Sequence, residues 1–243
     1  MMTDAVVIKD LRKDFGSKTA VDDLDLTIPE GELFAFLGVN GAGKTTTIRM
    51  LTGLTAPSAG EAWVFGHSIL TELEAVKRLG NLSPQETSVA PNLTVQENLE
   101  FIAGIYGASG EESRRKAEEV IEQFGFDEIR HSRAKTLSGG WQRKLSIAMA
   151  LITDPRILYL DEPTLGLDVL ARRELWKVIR SLKGKVTVIL TTHYMEEAEE
   201  LSDHIAIMVK GRLVAEGTME QLRARTGKEK LEDIFIEIVE GEK

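Results

Sequence analysis

The chain has 243 residues, 42% hydrophobic and 28% charged, enough to bury a substantial core at the composition of a soluble globular protein. Its net charge of −9 speaks against a general nucleic-acid binder, whose phosphate contacts need clustered Lys and Arg. With no cysteine there are no disulfides and no thiolate metal sites, and no apolar run approaches the roughly 18 residues of a spanning helix. The opening MMTDAVVIKD carries Asp4 and no long apolar core, so it does not read as a signal peptide.

Residues 6–15 and 21–28 are strand-like. Leu24, Leu26 and Ile28 alternate with Asp23, Asp25 and Thr27, as in a half-buried antiparallel strand. Pro29-Glu30-Gly31 turns the chain into residues 33–37, apolar at every position and therefore expected to be buried on both faces. Next comes GVNGAGKTT, residues 38–46. Gly38, Gly43, Lys44 and Thr45 fit the spacing G-x-x-x-x-G-K-[ST]. The backbone N–H groups of such a loop can point inward around a phosphate chain, and the N-terminus of the next helix adds partial positive charge. Lys44 would reach the β- and γ-phosphates and the Thr45 hydroxyl would ligate Mg²⁺. A match this short indicates a nucleotide site but not its work. Ile48, Leu51 and Leu54 then recur at helical spacing over 47–54, TAPSAG breaks the helix, and a short strand follows near 62–65.

The middle of the chain is helical and charged from Thr94 to about Gln123. Thr94-Val-Gln-Glu97 forms a capping box, followed by Leu99, Ile102 and Tyr106 at core spacing. GASG at 107–110 separates a second helix over 111–123. Residues 85–140 thus read as a helical insertion within an α/β domain. The α/β pattern returns with a helix near 140–152, a buried strand at 157–160 and a helix over 169–182 with Leu175, Val178, Ile179 and Leu182 facing inward. An apolar strand at 186–190, a short acidic helix at 195–201 and a hairpin around Lys210-Gly211 complete it. The tail from Met219 is a small helix, a charged link and the alternating IFIEIV.

Two further segments carry chemistry. In ILYLDEPTLGLD, residues 157–168, a buried strand delivers two acids to the C-terminal edge of the sheet, where open α/β sheets bind ligands. Asp161 can hold Mg²⁺ through its water shell, and Glu162 can polarise an attacking water. A lone Asp-Glu pair usually just starts a loop, a reading that recedes beside a Lys-Thr phosphate loop. In LSGGWQRK, residues 137–144, Ser138 and two glycines open a predicted helix, a second anion-binding arrangement or simply a Ser N-cap. One phosphate chain rarely needs two cradles. The second is expected to serve a nucleotide held by another subunit.

On these motifs, in this order from Phe15 to the hairpin near Gly211, the sequence resembles an ATP-binding cassette (ABC) ATPase subunit. No guanine-reading N-K-x-D motif is present. The resemblance implies an α/β P-loop NTPase core with an N-terminal antiparallel β subdomain and an inserted α-helical subdomain. Within a single domain spanning 1–243, the core would be 1–84 and 141–218, the helical subdomain 85–140 and the tail 219–243. It implies that Phe15 stacks on adenine and that Gly38, Asn40, Gly41, Ala42, Gly43, Lys44, Thr45 and Thr46 hold the phosphates of ATP. Thr45, Gln85 and Asp161 would serve Mg²⁺, with Gln85 also joining that site to the helical subdomain. Glu162, His193 and Lys44 would carry the catalysis. Ser138, Gly139 and Gly140 would close over the partner's ATP, with Gly166 and Asp168 in a segment crossing between subunits. His67, His131 and His204 have no such match and are expected to be structural or solvated.

Two positions depart from the family pattern. Trp141 stands where the signature usually carries glutamine, and LGLD begins with leucine where many members have a small residue. The function so implied is an ATP-hydrolysing motor, a homodimer or paired with a second ABC ATPase subunit, head to tail around two ATP. It would power a separate membrane-spanning permease from the cytoplasmic face of the cell membrane, without nucleic acid. The tail is similar to those of exporter-type cassettes for drugs, lipids or polysaccharides. The rival readings are a soluble ABC ATPase acting in cluster assembly or on nucleic acid, and a module that holds nucleotide without turnover. Acidic charge weighs against action on nucleic acid, and Glu162 with His193 against the second rival.

Overall fold

In the computed structural model, which describes residues 3–241, two sheets arise from two kinds of strand pattern. The outermost two residues at each end of the expected 1–243 domain lie outside the described residues. Strands β1 (Asp4–Phe15) and β2 (Lys18–Pro29) pair antiparallel. Val21, Leu24, Leu26 and Ile28 of β2 are buried. The step of three between Val21 and Leu24 comes from a bulge in the pairing, where Asp23 takes a φ of 53°. Simple alternation could not show that bulge.

Strand β3 (Leu33–Leu37) is buried at all five positions and leads through the glycine loop into α1 (Lys44–Leu51). The helix starts at Lys44, three residues before the predicted 47. Three successive threonines, which are poor helix formers, mask its first turn in the sequence. Strands β4 (Ala59–Val64) and β5 (His67–Ser68) complete a four-stranded sheet ordered β2-β1-β4-β5. Helix α2 (Leu73–Leu79) and strand β6 (Gly80–Ser83) were not expected. Both are short, and each buries one residue, Val76 and Ser83, which leaves no periodic signal to read.

The insertion follows. Helix α3 (Val95–Ile105) opens on the predicted capping box: Glu97 N–H donates to Thr94 Oγ1 at 3.1 Å and Thr94 N–H to Glu97 Oε2 at 2.7 Å. Thr94→Ala is expected to cost about 1 kcal/mol in a denaturant titration. Helix α4 (Gly110–Phe124) ends at Gly125, left-handed with φ 64°. Helix α5 (Gly139–Leu151) then returns to the sheet.

Strand β7 (Ile157–Asp161), helix α6 (Val169–Arg180), strand β8 (Thr187–Thr192), helix α7 (Met195–Leu201) and the hairpin β9 (His204–Val209) with β10 (Arg212–Gly217) complete a six-stranded sheet, ordered β10-β9-β3-β8-β7-β6. On α6, Leu175 and Ile179 are buried as expected and Val178 is half-buried, while Trp176 is buried in addition. The tail forms α8 (Met219–Thr226) and α9 (Leu231–Gly241). The alternation of IFIEIV is therefore not a strand. Leu231, Ile234, Phe235 and Ile238 are buried at helical spacing against the main core.

The central strands divide their side chains between two apolar clusters. Leu33, Ala35 and Leu37 of β3 join Leu158 and Leu160 of β7 and helices α3–α7 and α9, whereas Phe34 and Phe36 join Ile157, Tyr159, α1 and the antiparallel sheet. Burial on both faces is what the unbroken apolar runs predicted. Leu99, Val120 and Phe124 of the insertion share the first cluster with Leu145 of α5, so the helical subdomain packs on the same core.

Candidate active site

Parallel register assembles the site. Leu37 lies opposite Thr192, and Asp161 opposite Thr191, so the loops after β3, β7 and β8 leave the sheet along one edge. The first is the glycine loop. Gly43 has a φ of 105°, and a Cβ there would come within 2.6 Å of the Ala20 carbonyl oxygen. Only glycine satisfies both constraints.

Lys44 is buried at the start of α1. Its Nζ donates to the Gly38 carbonyl at 2.6 Å and lies 3.4 Å from Glu162 Oε1. Burial pulls its pKa below the ordinary lysine value, and the Glu162 carboxylate works against that shift. Thr45 Oγ1 donates to Asp161 Oδ1 at 2.8 Å, and Thr191 Oγ1 donates to the same oxygen at 2.6 Å. Glu162 has a φ of 48°, an unfavourable conformation for a side chain of this size. Its N–H donates to the Thr191 backbone oxygen at 3.2 Å and to Thr191 Oγ1 at 3.0 Å, which hold it there. The Glu162 carboxylate thus has Oε1 beside Lys44 and Oε2 at 2.8 Å from His193 Nδ1.

Lys44, Thr45, Glu162 and His193 line a cavity of about 400 Å³, and Asp161 and Thr191 connect to it through Thr45 and Glu162. Residues 40–46 line it, with Phe15 and Lys18 at one end and Gln85, Glu162, Leu165 and His193 at the other. Phe15 is 53% exposed, with Lys13 Nζ 5.0 Å from its ring centroid, and a flat ligand can stack on such a ring. The Thr45 hydroxyl, the Asp161 carboxylate and the Gln85 amide are hard oxygen donors of the kind Mg²⁺ takes, so the residues present fit that ion. Cation, oxygen donors, carboxylate and imidazole together can transfer a phosphoryl group to water.

Ser138, Gly139 and Gly140 do not reach this cavity. Ser138 caps α5, accepting from Trp141 N–H at 3.5 Å, and with Gly140 it borders a separate hollow against Ala171 and Glu174 of α6. Trp141 turns toward the helical subdomain. Its ring centroid is 5.9 Å from that of Phe126, and Lys144 Nζ sits 4.7 Å over it. The indole is thus used in packing, and Ser138 and the glycine backbone stay accessible. Asp168 Oδ1 accepts from the N–H groups of Leu170 and Ala171 at 2.9 and 3.0 Å and so caps α6, next to exposed Val169 and Leu170. His67 and His204 lie at 3.0 and 2.7 Å from Glu72 and Glu32, outside the cavity.

Two contributors escaped sequence reading. Neither Thr191 nor Arg143 falls in a position that the motifs single out. Arg143 is buried and donates only to backbone carbonyls. Burial lowers its pKa to about 10, so it stays charged at neutral pH.

A family model described as "ABC transporter" matches residues 21–165. The Daunorubicin/doxorubicin resistance ATP-binding protein DrrA of Streptomyces peucetius is 42% identical over 226 residues, covering 93% of this chain and 68% of its own. The Probable multidrug ABC transporter ATP-binding protein YbhF of Escherichia coli (strain K12) is 39% identical over 238 residues, covering 95% of this chain and 41% of its own. Among solved structures, an ATP-binding subunit of an ABC transporter superposes with a TM-score of 0.85 at 29% identity, over 97% of this chain and 99% of that one. A dimeric ATP-binding cassette in a post-hydrolysis state with ADP and Pi gives 0.78 at 27% identity, over 88% and 98%.

Proposed function

Because the chain belongs to the ABC transporter family and is an ATP-hydrolysing motor subunit, we propose that each ATP is held between two chains with the roles divided as follows. Phe15 receives the adenine and residues 38–46 wrap the phosphates, with Lys44 on the β- and γ-phosphates. Thr45, Gln85 and Asp161 would hold Mg²⁺, which when bound would supply neutralisation of phosphate charge. Glu162 takes the proton of the attacking water, and His193 contacts the γ-phosphate while orienting Glu162. Ser138, Gly139 and Gly140 close the site from the partner. The core is 1–84 and 141–218, the helical subdomain 85–140 and the tail 219–243.

The observation that supports hydrolysis best is the Glu162 carboxylate, held between Lys44 and His193 at 3.4 and 2.8 Å on the lip of the phosphate loop. A module that only holds nucleotide needs no such group. Steady-state phosphate release with and without Mg²⁺ tests the reading; metal-independent release would overturn the Mg²⁺ assignment.

The separation of Ser138 from the cavity supports the two-chain site. Ser138→Arg is expected to leave ATP binding to a single chain intact and to abolish ATP-driven dimerisation. Size-exclusion chromatography in a hydrolysis-dead background reads the outcome, and an unchanged dimer peak would reject the shared site.

Among the described residues no helix is long and apolar enough to cross a membrane. We assign the transport path to a separate membrane-spanning permease of exporter type, with this chain on its cytoplasmic face. A groove of about 690 Å³ between the α1–α2 region and the helical insertion, bordered by exposed Leu54 and Tyr106, is the surface we assign to it. Co-purification with a polytopic membrane protein, lost on Tyr106→Glu, is the expected result. Recovery from cytosol alone would favour a soluble ATPase instead.

A further inference from the structure

Arg143 presents a physical puzzle. It is 4% exposed, and a buried guanidinium is normally matched by a carboxylate. Among the described residues it forms no salt bridge. Its Nε donates to the Pro163 carbonyl at 2.8 Å, its Nη2 to the Asp161 carbonyl at 2.8 Å, and its Nη1 to the carbonyls of Pro84 and, at 3.3 Å, Gln85. Neutral dipoles repay the desolvation of a charge less well than an ion pair does. What they provide is geometry, because the planar fork fixes several acceptors at once.

Those acceptors belong to the two segments expected to place the metal and the water. The carbonyls of Asp161 and Pro163 flank Glu162, whose φ of 48° needs outside support. The carbonyls of Pro84 and Gln85 fix the loop that carries Gln85 to the cavity. Arg143 itself belongs to α5, whose cap is Ser138. At a rise of about 1.5 Å per residue, Arg143 sits about 7.5 Å along the axis from the cap, close enough for the first turns of the helix to move as one rod.

We propose that Arg143 is a positioning residue through which engagement of the partner's ATP at Ser138–Gly140 sets Gln85 and Glu162 in the chain's own site. This rests on the two-chain reading above. Each α5 then touches one nucleotide at its cap and, through Arg143, holds the residues that act on the other.

Mixed dimers of two differently tagged copies, one carrying Glu162→Gln, test the inference, since only one site turns over. Lysine at 143 keeps the charge but offers a single nitrogen, which cannot span four carbonyls. With Arg143→Lys in the copy whose Glu162 is intact, kcat is expected to fall about 10–10²-fold, the scale of a small misplacement of reacting groups, with little change in KM. With Arg143→Lys in the copy that carries Glu162→Gln, the fall should be under about 2-fold, because the closing Ser138 is unaltered. Arg143→Gln gives the same contrast if the lysine variant fails to fold. Equal falls in the two arrangements, or no fall in either, overturn the inference and leave the two-chain site standing. If the Glu162→Gln parent forms no ATP-driven dimer, the two-chain site fails and the inference falls with it.

Discussion

Glu162→Gln is expected to bind Mg-ATP about as well as the unaltered chain while turnover falls roughly 10²–10⁴-fold, the usual worth of general acid–base help. The amide keeps the size of the carboxylate and one acceptor oxygen but turns the other into a donor and loses the base. Thr45 and Asp161 keep their mutual bond at 2.8 Å, and the backbone of residue 162 stays held by Thr191. In the proposed site Lys44 would still reach the phosphates. On the proposed two-chain site, in which hydrolysis would open the interface, an ATP-bound dimer should accumulate. Phosphate release and dimer fraction at saturating ATP, measured on one sample, decide the matter. Release at the unaltered rate would remove Glu162 from the role of base.

Lys44→Ala should instead remove most ATP binding. Removing one member of a buried, hydrogen-bonded charge pair costs about 2–5 kcal/mol or more, so affinity for ATP should drop by about 30-fold or more. The substitution also takes from Glu162 Oε1 the cation 3.4 Å away. Melting temperature must therefore be followed beside the titration, to separate lost binding from a loosened fold. Near-normal affinity in a folded variant would mean that this loop does not hold the phosphates. Paired with the first, this experiment separates binding from chemistry: one variant binds without turnover and the other loses most of both.

Where local pattern carries the information, the sequence was legible. The apolar run of β3 announced a strand buried on both faces, the runs at 157–160 and 186–190 announced β7 and β8 as strands, and the capping box at Thr94 and Glu97 marked the start of α3 to the residue. Burial or length too slight for periodicity left α2 and β6 unseen. The tail failed for a different reason. A helix packed with i, i+3 and i+7 inward can still place apolar residues at alternate positions, and IFIEIV does so. Trp141 was recognised as a departure, but its packing on Phe126 is a contact across the subdomain that no spacing records.

What the sequence determined by itself is the chemistry available: a glycine loop before a Lys-Thr pair, an Asp-Glu pair closing an apolar strand, a histidine after another, and a Ser-Gly-Gly helix start. These are local, because each depends on neighbours a few residues away along one strand or helix. Only the tertiary structure decided how they combine. Parallel register set Asp161 beside Thr191, and the sheet order laid β7, β8 and β3 side by side, joining Glu162 to Lys44 across more than a hundred residues of chain and to His193 across 31. The same folding carried Ser138 away from that cavity and buried Arg143 under it. Such pairings depend on how sheets and helices pack, a long-range outcome that the periodicity of a single element does not contain.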